Sequence, residues 1–174
     1  MVPRLDVKAE TTGIGSTTPG SISALVTGTG GGLANAIIIS QGARLPVINV
    51  GAGASILATV ETSTISPTVE VANSAAPFNM VAVAINDSSS TLTKINNAGT
   101  IRAAVSAVSP GLDAVVVTTV RAIDLLQSTA SGVTINNSGK IVGDILFGAG
   151  GNNFTLNVGN TGGGGAANPE TGGL

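Results

Sequence analysis

A tandem repeat of forty residues is the feature that most constrains how this chain can fold. The segment INNSGKI at residues 135–141 has a near copy, INNAGTI, at residues 95–101. The register extends upstream without a gap, so residues 80–101 correspond to residues 120–141. A fixed internal period is typical of chains that stack one supersecondary unit on the next. We therefore expect this chain to stack on itself.

The register of the repeat predicts which residues lie above one another. It places Ile85 opposite Leu125, and it places each Asn, Gly and Ile of one copy opposite its counterpart in the other. The predicted structural ladder consists of Ile85, Ile95, Asn97, Gly99, Ile101, Leu125, Ile135, Asn137, Gly139 and Ile141.

The composition favours β structure over helix. Val, Ile and Thr are frequent, whereas strong helix formers such as Glu, Lys and Gln are scarce. Aromatic residues make up only 2% of the chain, as three Phe. A stacked solenoid needs few aromatics, because small β-branched residues can fill its interior rung upon rung. The fold class expected is therefore all-β.

Short apolar runs bounded by Gly, Asn and Pro predict the strands. They lie at residues 24–26, 36–39, 47–50, 55–58, 81–85, 114–120 and 154–158. About six such runs in forty residues suggest two coils of about 20 residues each, stacked at about 4.8 Å. The chain would then form a right-handed parallel β-helix of roughly eight coils.

The Asn-Asn and Gly positions of the repeat predict matched corners. Asn can hydrogen-bond to its copy in a neighbouring coil, and Gly99 and Gly139 would take positive φ angles there. Ordinary hairpin turns remain an alternative explanation for these pairs. Residues 1–20 are expected to be an N-terminal cap or an irregular first coil, residues 21–158 the β-helix, and residues 159–174 a flexible Gly/Asn-rich tail or linker.

Charge and hydropathy limit the partners. Only 9% of residues are charged, the formal net charge is −2, and the seven Lys and Arg are spread along the sequence. Nucleic acids and anionic membranes require clustered positive charge, so we expect neither as a partner. No apolar run reaches the ~18 residues of a transmembrane helix. The first residues lack the apolar segment of a signal peptide, so we expect either that the protein is not exported by that route or that this chain is a mature fragment with an added start Met.

One segment imitates a nucleotide-binding motif. Residues 24–33, ALVTGTGGGL, resemble the start of a short-chain dehydrogenase, where glycines near Gly30 let a pyrophosphate approach a helix. That resemblance implies a catalytic Tyr, and this chain contains no Tyr. Residues 33–39 also have no polar face of the kind that a surface helix needs. We therefore favour a strand there and expect no cofactor.

The residue types exclude several chemistries. The chain contains no His and no Cys, so Ser-His-Asp and Cys-His catalysis is impossible and a typical zinc site is not expected. Asp113, Asp124 and Asp144 are the candidate carboxylates for glycoside cleavage, although nothing in the sequence brings two of them together. Residues 148–156 are similar to a calcium-binding nonapeptide, but Asn153 stands where a carboxylate is needed. We therefore expect no catalytic residue and no metal.

The segment 120–158 resembles the passenger region of bacterial autotransporters. The resemblance is carried by TINNSG at residues 134–139 and by GDILFGAGGNN at residues 143–153. In that family an NSGTI unit recurs, and a GDI…GxGND unit ends a set of coils. Here Lys140 replaces the usual Thr, and Asn153 replaces the Asp. The resemblance covers residues 80–158 well and residues 20–79 loosely.

The resemblance implies a right-handed parallel β-helix on the surface of a Gram-negative cell. The family's C-terminal membrane barrel has no counterpart in this sequence, so we expect a passenger fragment or a solenoid that works without the barrel. The function expected is a non-catalytic, extracellular structural or adhesive β-helix, with itself or a host ligand as partner. One alternative is a filament subunit that stacks head to tail. Another is a glycan-binding or glycan-cleaving β-helix.

The ladder prediction can be tested by placing a charge at one ladder position. Ile135→Asp should lower the free energy of unfolding by more than about 3 kcal/mol, because the carboxylate would lie unpaired inside the stack. Ser89→Asp, on a turn expected to face solvent, should be tolerated. Thermal melting followed by circular dichroism measures both; an unchanged melting temperature for Ile135→Asp would show that Ile135 is not in the interior.

Overall fold

Every regular element that the structure describes is a β-strand. This computed structural model describes residues 3–8, 10–11, 17–28, 32–62, 78–107, 116–129 and 132–156. The strands are β1 (Arg4–Val7), β2 (Glu10–Thr11), β3 (Thr17–Thr18), β4 (Ser21–Gly28), β5 (Gly32–Ile39), β6 (Val47–Val50), β7 (Ser55–Thr62), β8 (Phe78–Asp87), β9 (Lys94–Asn97), β10 (Thr100–Ala107), β11 (Val116–Asp124), β12 (Thr134–Asn137), β13 (Lys140–Val142), β14 (Asp144–Leu146) and β15 (Asn153–Leu156).

Three parallel sheets make up the fold. The first sheet has the order β1-β6-β9-β12-β15, the second β13-β10-β7-β4, and the third β14-β11-β8-β5. The chain visits the sheets in that order and then returns to the first, one strand further along the stack. We call one such passage a coil. The short strands β2 and β3 form an antiparallel hairpin within the first coil. The architecture is thus an all-β stack of the solenoid type.

A coil is longer than the sequence predicts. Residues bonded across neighbouring strands of the first sheet are 43, 47 and 40 positions apart in the first three steps and 19 in the last. The expected coil of about 20 residues therefore occurs only at the last step, and the forty-residue repeat is one coil. The first sheet has five strands in the described residues, and the total of roughly eight coils stays a prediction. Residues 159–174, predicted to be a tail, lie outside the described residues.

Isoleucine columns from all three sheets fill the core. Each column runs through consecutive strands in register, and its two central members are fully buried. The columns are Leu5, Ile48, Ile95 and Ile135 in the first sheet; Ile22, Ile56, Ile101 and Ile141 in the second; and Ile37, Ile85, Ile123 and Ile145 in the third. Each buried Ile contributes about 1.5–3 kcal/mol.

The second and third sheets extend beyond this core in the first three coils. After each core Ile the second sheet continues with Ala and then Val, in an I-x-A-x-V pattern that occurs at residues 22–26, 56–60 and 101–105. These residues pack against the start of the third sheet, where a Cβ built on Gly32 would lie 2.7 Å from Val26 Cγ1. We call this two-layered extension the arm.

The fourth coil has no arm. Between β13 and β14 the single residue Gly143 replaces the chain segment that separates Arg102 from Arg121 one coil earlier. Its φ angle is +115°, and a Cβ there would lie 2.9 Å from the backbone nitrogen of Ala122. Only glycine fits this conformation without strain. The Gly-Asp pair is therefore the corner that shortens the coil.

The register of the repeat differs from the prediction in the third sheet. Ile85 pairs with Ile123 rather than with Leu125, since β8 and β11 are offset by 38 positions while β9 and β12 are offset by 40. The two extra residues lie in the turn before β12. A shift of two residues returns a strand to the same face, so Leu125 is still fully buried.

The register of the third sheet shifts between β11 and β14. Arg121 pairs with Asp144, but Ile123 pairs with Ile145, so β11 has one extra residue, Ala122, at this point. An extra residue in one of two paired strands is a β-bulge. Ala122 itself is fully buried in the core.

The described residues of the segment that imitates a nucleotide-binding motif, 24–28 and 32–33, belong to two strands of different sheets. Residues 33–39 belong to β5, which pairs in parallel with β8. The helix that a dehydrogenase would place after Gly30 is therefore a strand. The expectation of β structure at this position is confirmed.

The turn after β8 corrects the expectation for Ser89. Ser89 is only 9% exposed, and its hydroxyl donates to Asp87 Oδ1 at 2.6 Å while its backbone nitrogen donates to the same oxygen at 2.9 Å. Asp87 itself is fully buried. A carboxylate at position 89 would lie against the carboxylate of Asp87. Carboxylates only accept hydrogen bonds, so the hydrogen bond between the two side chains would be lost.

Ser89→Asp should therefore destabilise the protein rather than be tolerated. We expect a loss of at least about 1–3 kcal/mol, because Asp87 loses its hydroxyl donor and gains a like charge. Ser23→Asp, on the exposed side of β4, is the matched control and should melt like the wild type. Equal melting temperatures for the two variants would contradict the buried position of Ser89.

Gly143→Ala should also destabilise the protein, by about 1–3 kcal/mol, because Ala is strained at a φ angle of +115°. Gly151→Ala is the control, since a Cβ there meets nothing within 4 Å. Chemical denaturation of both variants measures the difference, and an undiminished stability of Gly143→Ala would refute the proposed corner.

Candidate functional site

A column of asparagines runs along the outer face of the first sheet. Strand pairing places Asp6, Asn49, Asn96 and Asn136 directly above one another. Asn49 Nδ2 donates to Asp6 Oδ1 at 2.6 Å. Asn96 Nδ2 donates to Asn49 Oδ1 at 2.7 Å, and Asn136 Nδ2 donates to Asn96 Oδ1 at 2.9 Å. We call these four residues the asparagine column.

All hydrogen bonds of the asparagine column point towards a carboxylate. Every amide donates in the direction of the first coil, and the last acceptor is Asp6, which also forms an ion pair with Arg4 at 2.9 Å. The hydrogen bond from Asn49, assisted by the charges of Arg4 and Lys8, lowers the pKa of Asp6. The column thus ends on a stable anion, which favours one direction of the whole chain of bonds.

A second, buried pair of asparagines closes the corner after the first sheet. Asn97 Nδ2 donates to Asn137 Oδ1 at 2.7 Å, and both residues are at most 4% exposed. The backbone nitrogen of Gly99 donates to Asn97 Oδ1 at 3.2 Å. Asn97 therefore satisfies both its own coil and the next, as expected of buried amides.

The glycines of this corner have a different role from the one predicted. Gly99 and Gly139 do not have positive φ angles. A Cβ on Gly139 would instead collide with the carbonyl oxygen of Gly99, and one on Gly99 would collide with the carbonyl oxygen of Ala54. Glycine is required because the coils approach closely at this corner, so the predicted explanation by φ angle is wrong.

A groove lies beside the asparagine column. It has a volume of about 200 Å³. The column forms one side, while small residues of the corner and Lys8 form the remainder. The groove is lined by Lys8, Asn49, Val50, Gly51, Asn96, Asn97, Ala98, Asn136 and Ser138. We call it the column groove.

One basic residue lines the column groove, and it is Lys8. Arg4 forms the ion pair with Asp6 at the end of the column. Lys94 lies two residues before Asn96 on β9, where the strand register places it level with Arg4. Lys140 belongs to β13 of the second sheet.

The predicted ladder residues occupy neighbouring strands. Ile95 pairs with Ile135, Asn97 with Asn137 and Ile101 with Ile141, while Gly99 and Gly139 meet at the corner. Ile85 and Leu125 are both buried, although they are not paired with each other. The outer asparagine column was not predicted. Its signal is the similarity of the segments RLDV, VINV, KINN and TINN, which extends the repeat to the first strand.

Two of the candidate carboxylates, Asp124 and Asp144, lie on neighbouring strands of the third sheet. Asp124 forms an ion pair with Arg121 at 2.6 Å and accepts a hydrogen bond from the backbone nitrogen of Leu126. Asp144 is exposed on the neighbouring strand, in register with Arg121. Neither residue lines the column groove. Asp113 lies outside the described residues.

The described residues contain no group of three or more His, Cys, Asp or Glu that could hold a metal ion. In the segment that is similar to a calcium-binding repeat, Asn152 Oδ1 accepts a hydrogen bond from the backbone nitrogen of Val133. Asn152 Nδ2 donates to the carbonyl oxygens of Gly148 and Gly150. This side chain therefore stabilises a loop through its own hydrogen bonds.

Comparisons with family models, with curated proteins and with solved structures find no match to this chain. Within the ranges that the structure describes, no helix is long and apolar enough to cross a membrane.

The lowered pKa of Asp6 predicts how stability depends on pH. A carboxyl group whose pKa is lower in the folded than in the unfolded protein stabilises the fold at every pH above its unfolded pKa, which is 3.8 for Asp6. That contribution is lost as the pH falls from about this value through the folded pKa. Asp6→Asn should therefore reduce the fall in melting temperature between neutral and strongly acidic pH. An identical acid dependence in variant and wild type would contradict the role of Asp6 as the end of the column.

Proposed function

We propose that this chain is a non-catalytic structural and adhesive β-helix on the surface of a Gram-negative bacterium. In this proposal the β-helix is right-handed, with four coils and the first strand of a fifth in the described residues. Right-handedness is supported by the general rule that about 98% of parallel crossovers within one sheet have this hand. Surface exposure is supported by the resemblance of residues 80–158 to autotransporter passengers.

The observation that carries the proposal is the filling of the interior. Isoleucine columns from three sheets meet in the core, and the strongly polar or charged side chains of the repeat lie on outer faces or in corner hydrogen bonds. Such an interior supplies rigidity and length rather than a buried site for a reaction. The absence of His and Cys and the ion pair of Asp124 support a non-catalytic role.

Surface location can be tested on intact native cells with an antibody against this chain. Labelling of intact cells, and its loss after external protease treatment, is the expected result. Labelling that requires cell lysis would refute the proposal. The purified chain should also show a β-type circular dichroism spectrum and no turnover of polysaccharide substrates, and steady release of reducing ends would contradict the non-catalytic role.

A filament subunit is the second candidate, and the outermost strands of the described stack favour it. The terminal strands β1, β4 and β5 at one end, and β13, β14 and β15 at the other, each have one neighbour in the sheets described. Phe154 continues the column of Ile135 but is 46% exposed. Unpaired strand edges favour the addition of further strands. Electron microscopy at rising concentration separates the two, since fibres support the filament and short uniform rods support the single β-helix.

A further inference from the structure

We propose that the column groove binds a linear acidic polysaccharide, with the carboxylate of one sugar held by Lys8 and sugar hydroxyls held by the asparagine column. The inference deepens the adhesive role proposed above by naming the ligand class, and it rests on that role for its biological meaning. The binding itself can be tested on the purified chain.

The asparagine column has hydrogen-bonding capacity left for a ligand. A carboxamide has two N–H donors and two lone pairs on its oxygen. The column hydrogen bonds use one donor of Asn49, Asn96 and Asn136, and one lone pair of Asn49 and of Asn96. All three residues are half-buried and line the groove, so their remaining donors and lone pairs are at its surface. Sugar hydroxyls, which both donate and accept, match such a mixed row.

The spacing of the column suits a chain of repeating units. Neighbouring strands lie about 4.8 Å apart, so the free amide groups recur at that interval along the stack. The rings of an extended polysaccharide recur at a similar interval. A sugar chain that runs along the column can therefore use the same contact at each of three successive coils. Such repetition raises affinity without any single strong contact.

Charge selects an acidic chain over a neutral one. Lys8 lines the groove, is exposed, and forms no ion pair within 4.0 Å among the described residues. Lys94 lies two residues before Asn96 on the same face of β9, and Lys140 follows the groove residue Ser138. Of these three cations, Lys8 is the one that lines the groove together with the row of amides. An ammonium group beside hydrogen-bonding amides is suited to a carboxylate.

The same groove is poorly suited to a nucleic acid. Proteins that bind single strands stack the bases on aromatic side chains, and none of the residues that line the groove is aromatic. Double-stranded DNA is bound through many phosphate contacts, whereas one lysine lines this groove. Small residues such as Gly51 and Ala98 leave room for a ring beside the column instead.

The test uses the full purified chain and polygalacturonate, a polymer of acidic sugars, with titration calorimetry. We expect saturable binding to polygalacturonate and little binding to neutral dextran. Dextran sulfate and duplex DNA serve as competing polyanions. Equal affinity for all three polyanions would overturn the proposal in favour of unspecific attraction, and preference for DNA would overturn it in favour of a nucleic-acid partner. No binding to polygalacturonate would also overturn it.

Matched variants test the position of the site. Lys8→Gln should weaken binding about tenfold, as expected for the loss of one charge-assisted hydrogen bond. Arg102→Gln removes an exposed charge of the second sheet and should leave binding unchanged. Ser138→Glu, which adds a negative charge in the groove, should abolish binding, whereas Ser23→Glu on the exposed side of β4 should not. Melting temperatures of all four variants should equal that of the wild type, and equal effects of each variant and its control would overturn the assignment.

The outcomes for the groove and for the surface role can be separated. Polygalacturonate binding by a chain that is found only inside cells would retain the groove and refute the surface role. Surface labelling of cells whose purified chain binds no acidic polysaccharide would retain the surface role and refute the groove.

Discussion

The structure depends on the stacking of identical side chains in register between parallel strands. Because neighbouring strands are about 4.8 Å apart, an isoleucine in one coil lies in contact with the isoleucine of the next. Three such columns meet in the core and exclude water from it. The same register aligns the polar outer residues, so Asn49, Asn96 and Asn136 bond to one another. Core packing and surface chemistry therefore follow from a single geometric constraint, and a shift by one residue would disrupt both.

Much of the architecture could be predicted from the sequence, and the misses have definite physical causes. The repeat of the INN segments predicted parallel stacking, and Ile95 indeed pairs with Ile135. The number of runs in forty residues suggested two coils, because a sequence does not show that strands of the second and third sheets continue beyond the core as an arm. The I-x-A-x-V pattern was the available signal, since it recurs once in each coil that has the arm. The offset between paired residues rises from 38 positions in β8 and β11 to 40 positions in β9 and β12. The sequence pattern did not reveal this difference, because a shift by two residues keeps every side chain on the same face of its strand.

The candidate site was less predictable than the fold. Neighbouring asparagines were expected to bond between coils, as Asn97 and Asn137 do. To predict the outer column, one must know that Asp6 and Asn49 occupy equivalent positions in successive coils. Only the alignment of four short strand segments indicates this. The position of Lys8 beside Asn96 and Asn136 was also not predicted, since these residues are distant in sequence and line one groove only through the stack. Ser89 shows the opposite error, because a polar turn residue was taken as solvent-facing when its hydroxyl serves the buried Asp87.

The most direct test of in-register stacking at forty residues uses disulfide formation, for which a chain without cysteine is a clean background. Lys94 and Thr134 are paired across β9 and β12. Their Cα atoms should therefore be close to the separation of about 4.4–6.8 Å that a disulfide requires. The double variant Lys94→Cys/Thr134→Cys should form an intramolecular bond on mild oxidation, detected by a shift in gel mobility. The variant Ala98→Cys/Thr118→Cys, whose residues a coil of about 20 residues would bring together, should not, because Ala98 follows the first sheet and Thr118 belongs to the third. Bond formation by the second pair and not by the first would contradict the account.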